Sequence, residues 1–388
     1  MADAPGLYLH VPFCAHRCPY CDFAVTAGAG RTLVRRYVTA VRTDLARVAA
    51  SGPAGVAPTA TGDAAAQWPV FGSIFVGGGT PTQLDAGDLA GILRHARAVL
   101  PVAADAEVTV EANPEDVEAE YCATLVEAGL TRLSIGAQSF APHVLAFLGR
   151  SHDSERTLAA VQAARRAGVR QVSVDLIYGS PCETDEDWAA TLDAAVAAGP
   201  DHVSAYGLTV EANTPYAIDV ARGAARAPDD DRQAARMAAA DVRLAGDGLH
   251  RYEISNWARP GAQSRHNRVY WRGGDWLGIG AGAHGHWRGR RWWSIRPTVR
   301  YTDTVLAGRP ATGGQEVLDE ATRRVERLMM GLRLTEGVAR AAVEPLDEHQ
   351  AARLAGAGLL ADDGARLALT PAGRPVADEV IRRLVLAR

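Results

Sequence analysis

Lysine is absent from this chain: all 41 basic residues are arginine. Without a lysine amine, Schiff-base and pyridoxal-phosphate chemistry are excluded. Long apolar runs are missing too, and nothing approaches the roughly 18 consecutive apolar residues that mark a membrane span. The amino terminus, MADAPGLYLH, has neither a basic segment nor an apolar one, so it does not read as a secretory signal. Cysteine is scarce, five in 388 residues, and three of the five are clustered. That suits a reducing cytoplasm better than a disulfide framework. A net charge of -4 argues against a general nucleic-acid binder, which is normally basic. The remainder, 47% hydrophobic and 22% charged, is the composition of a globular chain able to bury a core. The length allows about two domains, and a cytoplasmic protein is expected.

The cysteines that are present carry the strongest signal. Residues 7–23 read LYLHVPFCAHRCPYCDF and place Cys14, Cys18 and Cys21 in a C-x3-C-x2-C spacing after a short apolar run. Thiolates this close can face one centre only if the chain wraps around it as a loop. Four cysteines complete an ordinary iron–sulfur cluster, so three leave one iron of a [4Fe-4S] cluster open to a small molecule. The alternative is a structural zinc site with His10 or His16 as fourth ligand. Zinc sites more often show two separated pairs, and this chain has no second pair. Cys122 falls in a helical stretch and is expected in the core, whereas Cys182 falls in a loop.

Helical spacing of Leu33, Tyr37, Val41 and Leu45 predicts a helix over 32–50, and the Ala, Gly, Pro and Thr of 51–67 predict an exposed loop. Short apolar runs then alternate with helical patterns. Strands are expected at 71–76, 108–111, 132–135, 171–177 and 202–206, with helices at 84–100, 114–128, 154–167 and 185–198. This alternation predicts an α/β fold, a parallel sheet of six βα units forming a partial (β/α)6 barrel over 1–210. In such barrels the chemistry collects after the strands' carboxyl ends. A helix over 229–244 follows within 211–311, which reads as a connecting region rich in Gly, His and Trp. From 312 to 388, helices at 321–332 and 346–355, a hairpin at 359–369 and a last helix at 373–386 predict a mostly helical, winged-helix-like domain. Such a module serves as a structural element, a protein contact or a DNA binder, and fold alone does not choose.

Gly77-Gly78-Gly79-Thr80-Pro81 follows the second strand, where glycine lets backbone N–H groups approach a ligand, or simply makes a tight turn. Glu111, in VEANP, ends the third strand, as an acceptor for hydroxyls or as half of a salt bridge. Gln138 in IGAQSF, Arg150 in LGRSH and Asp175 in VDLIYG sit at or near other element ends. The cysteine loop, with Tyr20 before its last cysteine, resembles that of the radical S-adenosylmethionine (SAM) enzymes. Together with GGGTP, VEANP, SIGAQSF, LGRSH and DLIYGSP, it resembles the oxygen-independent coproporphyrinogen oxidases and their relatives, the HemW-type heme chaperones, over nearly the whole chain. That resemblance implies that Cys14, Cys18 and Cys21 bind a [4Fe-4S] cluster whose open iron takes the amino and carboxylate groups of SAM. It implies a SAM pocket lined by Tyr8, Gly78, Gly79, Thr80, Glu111, Gln138, Arg150 and Asp175, with Tyr20 beside the cluster.

Within that resemblance two features depart from the oxidase. Its motif usually carries a further cysteine two positions after the third, where this chain has Phe23, and its amino-terminal arm is longer than the six residues before Leu7. A third feature matches the chaperone: His266-Asn267-Arg268-Val269-Tyr270-Trp271, an H-N-x-x-Y-W run that the resemblance associates with heme. A neutral histidine is a standard axial ligand of heme iron and flat rings suit a flat macrocycle. Heme contact is therefore expected at His266, Asn267, Tyr270 and Trp271. Six of the eight tryptophans lie from Trp257 to Trp293, with His266, His284 and His286 among them and His250 just before. A tryptophan-rich interface with hydrogen-bonded histidines is the plainer account for every histidine but His266. The expectation is a heme chaperone serving apo-hemoproteins such as respiratory-chain enzymes, with no nucleic-acid partner. Oxidation of coproporphyrinogen III is the alternative activity, and a heme-sensing winged-helix regulator is a third that the acidic charge disfavours.

Overall fold

The computed structural model describes residues 4–56 and 67–385. Six parallel strands run in sequence order: β1 (Gly6–Val11), β2 (Phe71–Gly78), β3 (Val102–Ala112), β4 (Arg132–Gln138), β5 (Gln171–Tyr178) and β6 (His202–Gly207). The intervening helices are α1 (Arg31–Val56), α2 (Ala86–Val99), α3 (Ala119–Glu127), α4 (Ser154–Arg166) and α5 (Asp185–Ala197). This is the partial barrel expected. Its strands owe their place to strict alternation. Val108, Val110, Leu133, Ile135, Val172, Val174 and Val203 are at most 1% exposed and pack in one core with Leu89, Leu93, Leu125, Val161 and Leu192 of the helices. The residues between them, Thr109, Glu111, Ser134, Asp175, His202 and Ser204, are polar and line a central cavity.

Several boundaries differ from expectation. Helix α1 runs on to Val56 through a break at Gly52 (φ +64°) and Pro53, so 51–56 is not loop, and 57–66 lies outside the described residues. The single helix expected over 114–128 is a 3-10 turn at Pro114–Asp116 followed by α3, because Pro114 starts a turn that Val117 ends in extended backbone.

The larger difference concerns 211–311. After α6 (Asp230–Ala245), β7 (His250–Glu253) and β8 (Asn256–Ala258) pair antiparallel beyond β6. The short helix α7 (Arg265–Trp271) follows, and then β9 (Trp276–Ile279), β10 (His284–Trp287) and β11 (Arg290–Ser294) extend the opposite edge of the same sheet, with β9 parallel to β1. Helix α8 (Thr298–Leu306) leads into β12 (Thr312–Val317), the end strand. Residues 211–311 are thus part of the barrel's own sheet and core rather than a connection, and 312–317 is sheet as well. Trp257, Leu277, Ile279, Trp287 and Trp292 are buried in the core shared with β1 and β2.

A second core belongs to the carboxyl-terminal unit. Helices α9 (Glu320–Gly331), α10 (Glu348–Gly356) and α11 (Ala377–Leu384) surround a three-stranded sheet of Val338–Ala339, Arg366–Leu369 and Leu360–Asp362. Leu328, Leu354, Leu367 and Val380 are at most 3% exposed within it. Helix, helix, hairpin and helix follow in the expected order. No described helix is long and apolar enough to cross a membrane.

Candidate functional site

Strand β1 ends at Val11 and delivers the chain into the three-cysteine loop. The two-residue strand Phe13–Cys14 pairs with Thr26–Ala27, so both ends of the loop are pinned together. Inside it, Arg17 donates twice to the Cys21 carbonyl (3.2 and 3.1 Å), and the Cys21 N–H donates to Cys18 O at 3.3 Å. All three thiols are free, half-buried and at the mouth of a cavity of about 420 Å³. The volume is that of a small-molecule site.

The GGGTP run is packed against this loop. Gly79 N–H donates to Val11 O (2.8 Å) and Thr80 N–H to Phe13 O (2.7 Å). A Cβ on Gly79 would lie 2.6 Å from Phe13 O and 3.0 Å from Cys14 Sγ. Gly78 holds φ +116°, and a Cβ there would meet the His10 ring at 2.4 Å. The Thr80 hydroxyl donates to Cys14 Sγ at 3.7 Å, and Arg150 Nη1 lies 3.7 Å from Cys18 Sγ. Arg150 is itself held by Asn113 Oδ1 (2.5 Å) and Gly136 O (3.3 Å).

Deeper in, Glu111 accepts from the Gly78 N–H at 3.1 Å and makes no salt bridge among the described residues. Burial, then the neighbouring Asp175, pushes its pKa up to about 7. Asp175 accepts from Ser134 (2.7 Å) and Ser173 (3.1 Å), and burial raises its pKa too. Gln138 ends β4 in the left-handed region at φ +64°, a conformation that costs energy in a residue with a side chain.

The cavity therefore gathers Cys14, Cys18, Cys21, Tyr20, Gly78, Gly79, Thr80, Glu111, Gln138, Arg150 and Asp175, with Asn267 at its floor. Tyr8 is not among its lining. The Tyr8 hydroxyl donates to His10 Nδ1 (2.9 Å), and His10 Nε2 donates to the Ala24 carbonyl (3.0 Å), so Tyr8 steadies the far end of the cysteine loop from behind. The zinc alternative loses His10 here, both of whose nitrogens are engaged, while His16 is tied through Nε2 to Gly149 O at 2.7 Å and keeps only Nδ1. Among the described residues no three His, Cys, Asp or Glu side chains converge on a single-ion position. A four-iron cluster makes no such demand, because each thiolate binds a different iron.

The H-N-x-x-Y-W run lies at the other end of the barrel. Ser264 caps α7, and the buried Glu107 carboxylate accepts from the N–H groups of Arg265 (2.9 Å) and His266 (3.1 Å), as an anion should at a helix start. His266 is 0% exposed. Its Nδ1 bonds Ser73 Oγ (2.8 Å), its Nε2 bonds Tyr270 OH (2.7 Å), and its ring stacks on Phe75 at 5.2 Å. Burial drives its pKa down to about 3, so the ring is neutral but has no free nitrogen. The expected heme contact at His266 does not fit this geometry. Trp271 lies under the Arg333 guanidinium at 5.5 Å, and neither it nor Tyr270 lines the cavity.

Thr109, Arg132, Ser134, His202 and Ser204 also line the cavity and were not singled out from the sequence. Their signal is a polar residue at every second position of otherwise apolar strands, as in Thr109-Val110-Glu111 and Ser173-Val174-Asp175.

Residues 8–195 match the radical SAM superfamily and residues 318–376 the HemN carboxyl-terminal domain. The heme chaperone HemW of Mycobacterium tuberculosis is 42% identical over 382 residues, covering 98% of this chain and 94% of that one. The heme chaperone HemW of Bacillus subtilis is 33% identical, covering 86% and 84%. The solved structure of coproporphyrinogen III oxidase (HemN) from Escherichia coli, a radical SAM enzyme, superposes with a TM-score of 0.81 over 99% of this chain and 90% of that one. At 22% identity that likeness establishes the fold. With a radical SAM domain implying a [4Fe-4S] cluster and SAM, and with these full-length relatives, the chain belongs to the HemW family of radical SAM proteins.

Proposed function

We propose that this protein is a radical SAM heme chaperone of the cytoplasm, which binds heme and passes it to apo-hemoproteins such as respiratory-chain enzymes. Cys14, Cys18 and Cys21 hold the cluster. Gly78, Gly79, Thr80, Glu111, Gln138, Arg150 and Asp175 surround SAM, with Tyr20 beside the cluster loop. The cluster, when bound, supplies one-electron chemistry to SAM at the iron that lacks a thiolate. The chain's own part is placement. Arg150 keeps positive charge at Cys18, and Glu111 and Asp175 offer acceptors deep in the cavity.

The observation that carries the reading is the loop itself. Three half-buried thiols face one cavity, and the position where the oxidase has a further cysteine is Phe23, which is 60% exposed. The name of the full-length relatives supports the heme half of the proposal.

The test is an anaerobic assay on reconstituted protein, with coproporphyrinogen III, SAM and a reductant in one tube and heme in another. Stoichiometric heme uptake without protoporphyrinogen is the expected result. Protoporphyrinogen in the first tube would overturn the chaperone in favour of the oxidase.

A further inference from the structure

If His266 has no nitrogen to give, the iron of a bound heme needs another ligand. Most histidines are already engaged. His10, His202 and His266 use both ring nitrogens in hydrogen bonds, and His16, His95, His143, His152 and His286 use at least one. His250, His284 and His349 are exposed, and no described residue hydrogen-bonds their rings. Of these three, His284 alone has an aromatic ring against it: Trp293, directly opposite on β11, with centroids 6.0 Å apart at 28°.

The surroundings of His284 suit a porphyrin. Register places Gly278 beside Tyr8, His286 beside Trp276 and Trp293 beside His284, so alternation puts Trp276, His284, His286 and Trp293 on the continuation of the barrel's inner face. The next turn ties this extension to the cysteine loop, because Arg296 Nη2 donates to Asp22 O at 2.6 Å. Arg296 is exposed and has no carboxylate partner among the described residues. Phe23, next to Asp22, is the exposed apolar side chain on that loop. A neutral imidazole, an indole and a phenyl ring, and a guanidinium without a carboxylate partner match, in turn, the iron, the flat apolar macrocycle and a propionate carboxylate. Burial first, and then the charges of Arg291 and Arg296, hold the imidazole pKa below its ordinary value, which leaves its lone pair available near neutral pH.

The H-N-x-x-Y-W run connects to the same place from beneath. His266 meets Tyr270 edge-on at 5.0 Å, Tyr270 meets Trp276 edge-on at 4.8 Å, and the Trp276 indole N–H donates to the His284 carbonyl at 2.9 Å. Resting on the heme-chaperone reading above, we infer that His284 is the axial ligand of heme bound on the β10–β11 face beside the cysteine loop. Trp293, Phe23 and Arg296 hold the macrocycle, and His266, Tyr270 and Trp276 act as positioning residues.

The experiment titrates hemin into the full-length protein and reads the Soret band and the affinity, without requiring SAM turnover. Wild-type protein should give saturable one-to-one binding with the spectrum of imidazole-ligated iron. His284→Ala, an exposed substitution that leaves the core intact, should weaken binding at least tenfold and lose that spectrum, and added imidazole should restore it. His250→Ala should match wild type, and Arg296→Gln should lower affinity while keeping the spectrum. An unchanged spectrum and affinity in His284→Ala overturns this inference while leaving the chaperone reading intact. No saturable binding by wild-type protein overturns the chaperone reading itself.

Discussion

Replacing His266 with alanine separates a structural from a liganding role. The side chain is fully buried, bonded to Ser73 and Tyr270, and stacked on Phe75. Removing it opens a cavity, for which large-to-small core substitutions cost about 2–5 kcal/mol. It also leaves the Ser73 hydroxyl, 2% exposed, without that partner, at about 1–3 kcal/mol for a buried orphan. Tyr270 is only half-buried and can turn to water. Because a water entering the cavity would recover part of the second term, we take about 4 kcal/mol in all. A unit of roughly 300 residues unfolds with an entropy of about 0.6 kcal/mol/K, so Tm should fall by about 6 °C. Scanning calorimetry on heme-free protein reads this directly. An unchanged Tm together with lost heme binding would refute the packing argument and return His266 to the heme iron.

Cys18→Ala should abolish the brown absorption of the cluster after anaerobic iron–sulfide reconstitution, and full iron content in that variant would dismiss the three-cysteine site. Gly78→Ala combines φ +116° with a Cβ driven into His10, so it should cost more than about 1 kcal/mol and lower cluster loading; wild-type stability by urea denaturation would contradict this. Glu111 titrates near 7 in the folded state instead of its ordinary 4.5. Its stabilising contribution is therefore complete below pH 4.5 and lost as pH rises through about 7. Ligand-free Glu111→Gln should match wild type at low pH and exceed it above pH 7 by up to about 3 kcal/mol. Parallel stability–pH curves for the two proteins would remove Glu111 as the titrating group.

The βα units and the cavity residues at strand ends were legible because both follow from periodicity. Val108, Val110, Val172 and Val174 alternate with polar residues, and that alternation fixes which side faces the cavity. The edge strands were not legible. Trp276–Ile279 and His284–Trp287 are four residues each, too short for a period, and read as a Gly, His and Trp-rich connection. Their pairing with β1 is a tertiary fact. Motif resemblance gave positions but not directions. Tyr8 and His266 both lie near the barrel interior, yet each spends its polar atoms on neighbours, because burial requires partners for them. Only the backbone's course shows that α7 enters from the end opposite the cysteines.

The place of β1 between β2 and β9 has a consequence for biosynthesis. Leu7 pairs with Ile74 on one side and with Leu277, 270 residues further along, on the other. A chain leaving the ribosome therefore carries β1 as an open edge until most of it has been made, with Leu7, Leu9 and Val11 in a strand ready to pair wrongly. The cysteine loop waits equally long for its outer ties, the Arg296 bond to Asp22 and the Thr298 bond to Thr26. Truncation near residue 210 would leave the loop and most of its cavity lining in the sequence but remove these outer ties. Any step that needs the loop held by these ties must therefore wait until the sheet around β1 is complete.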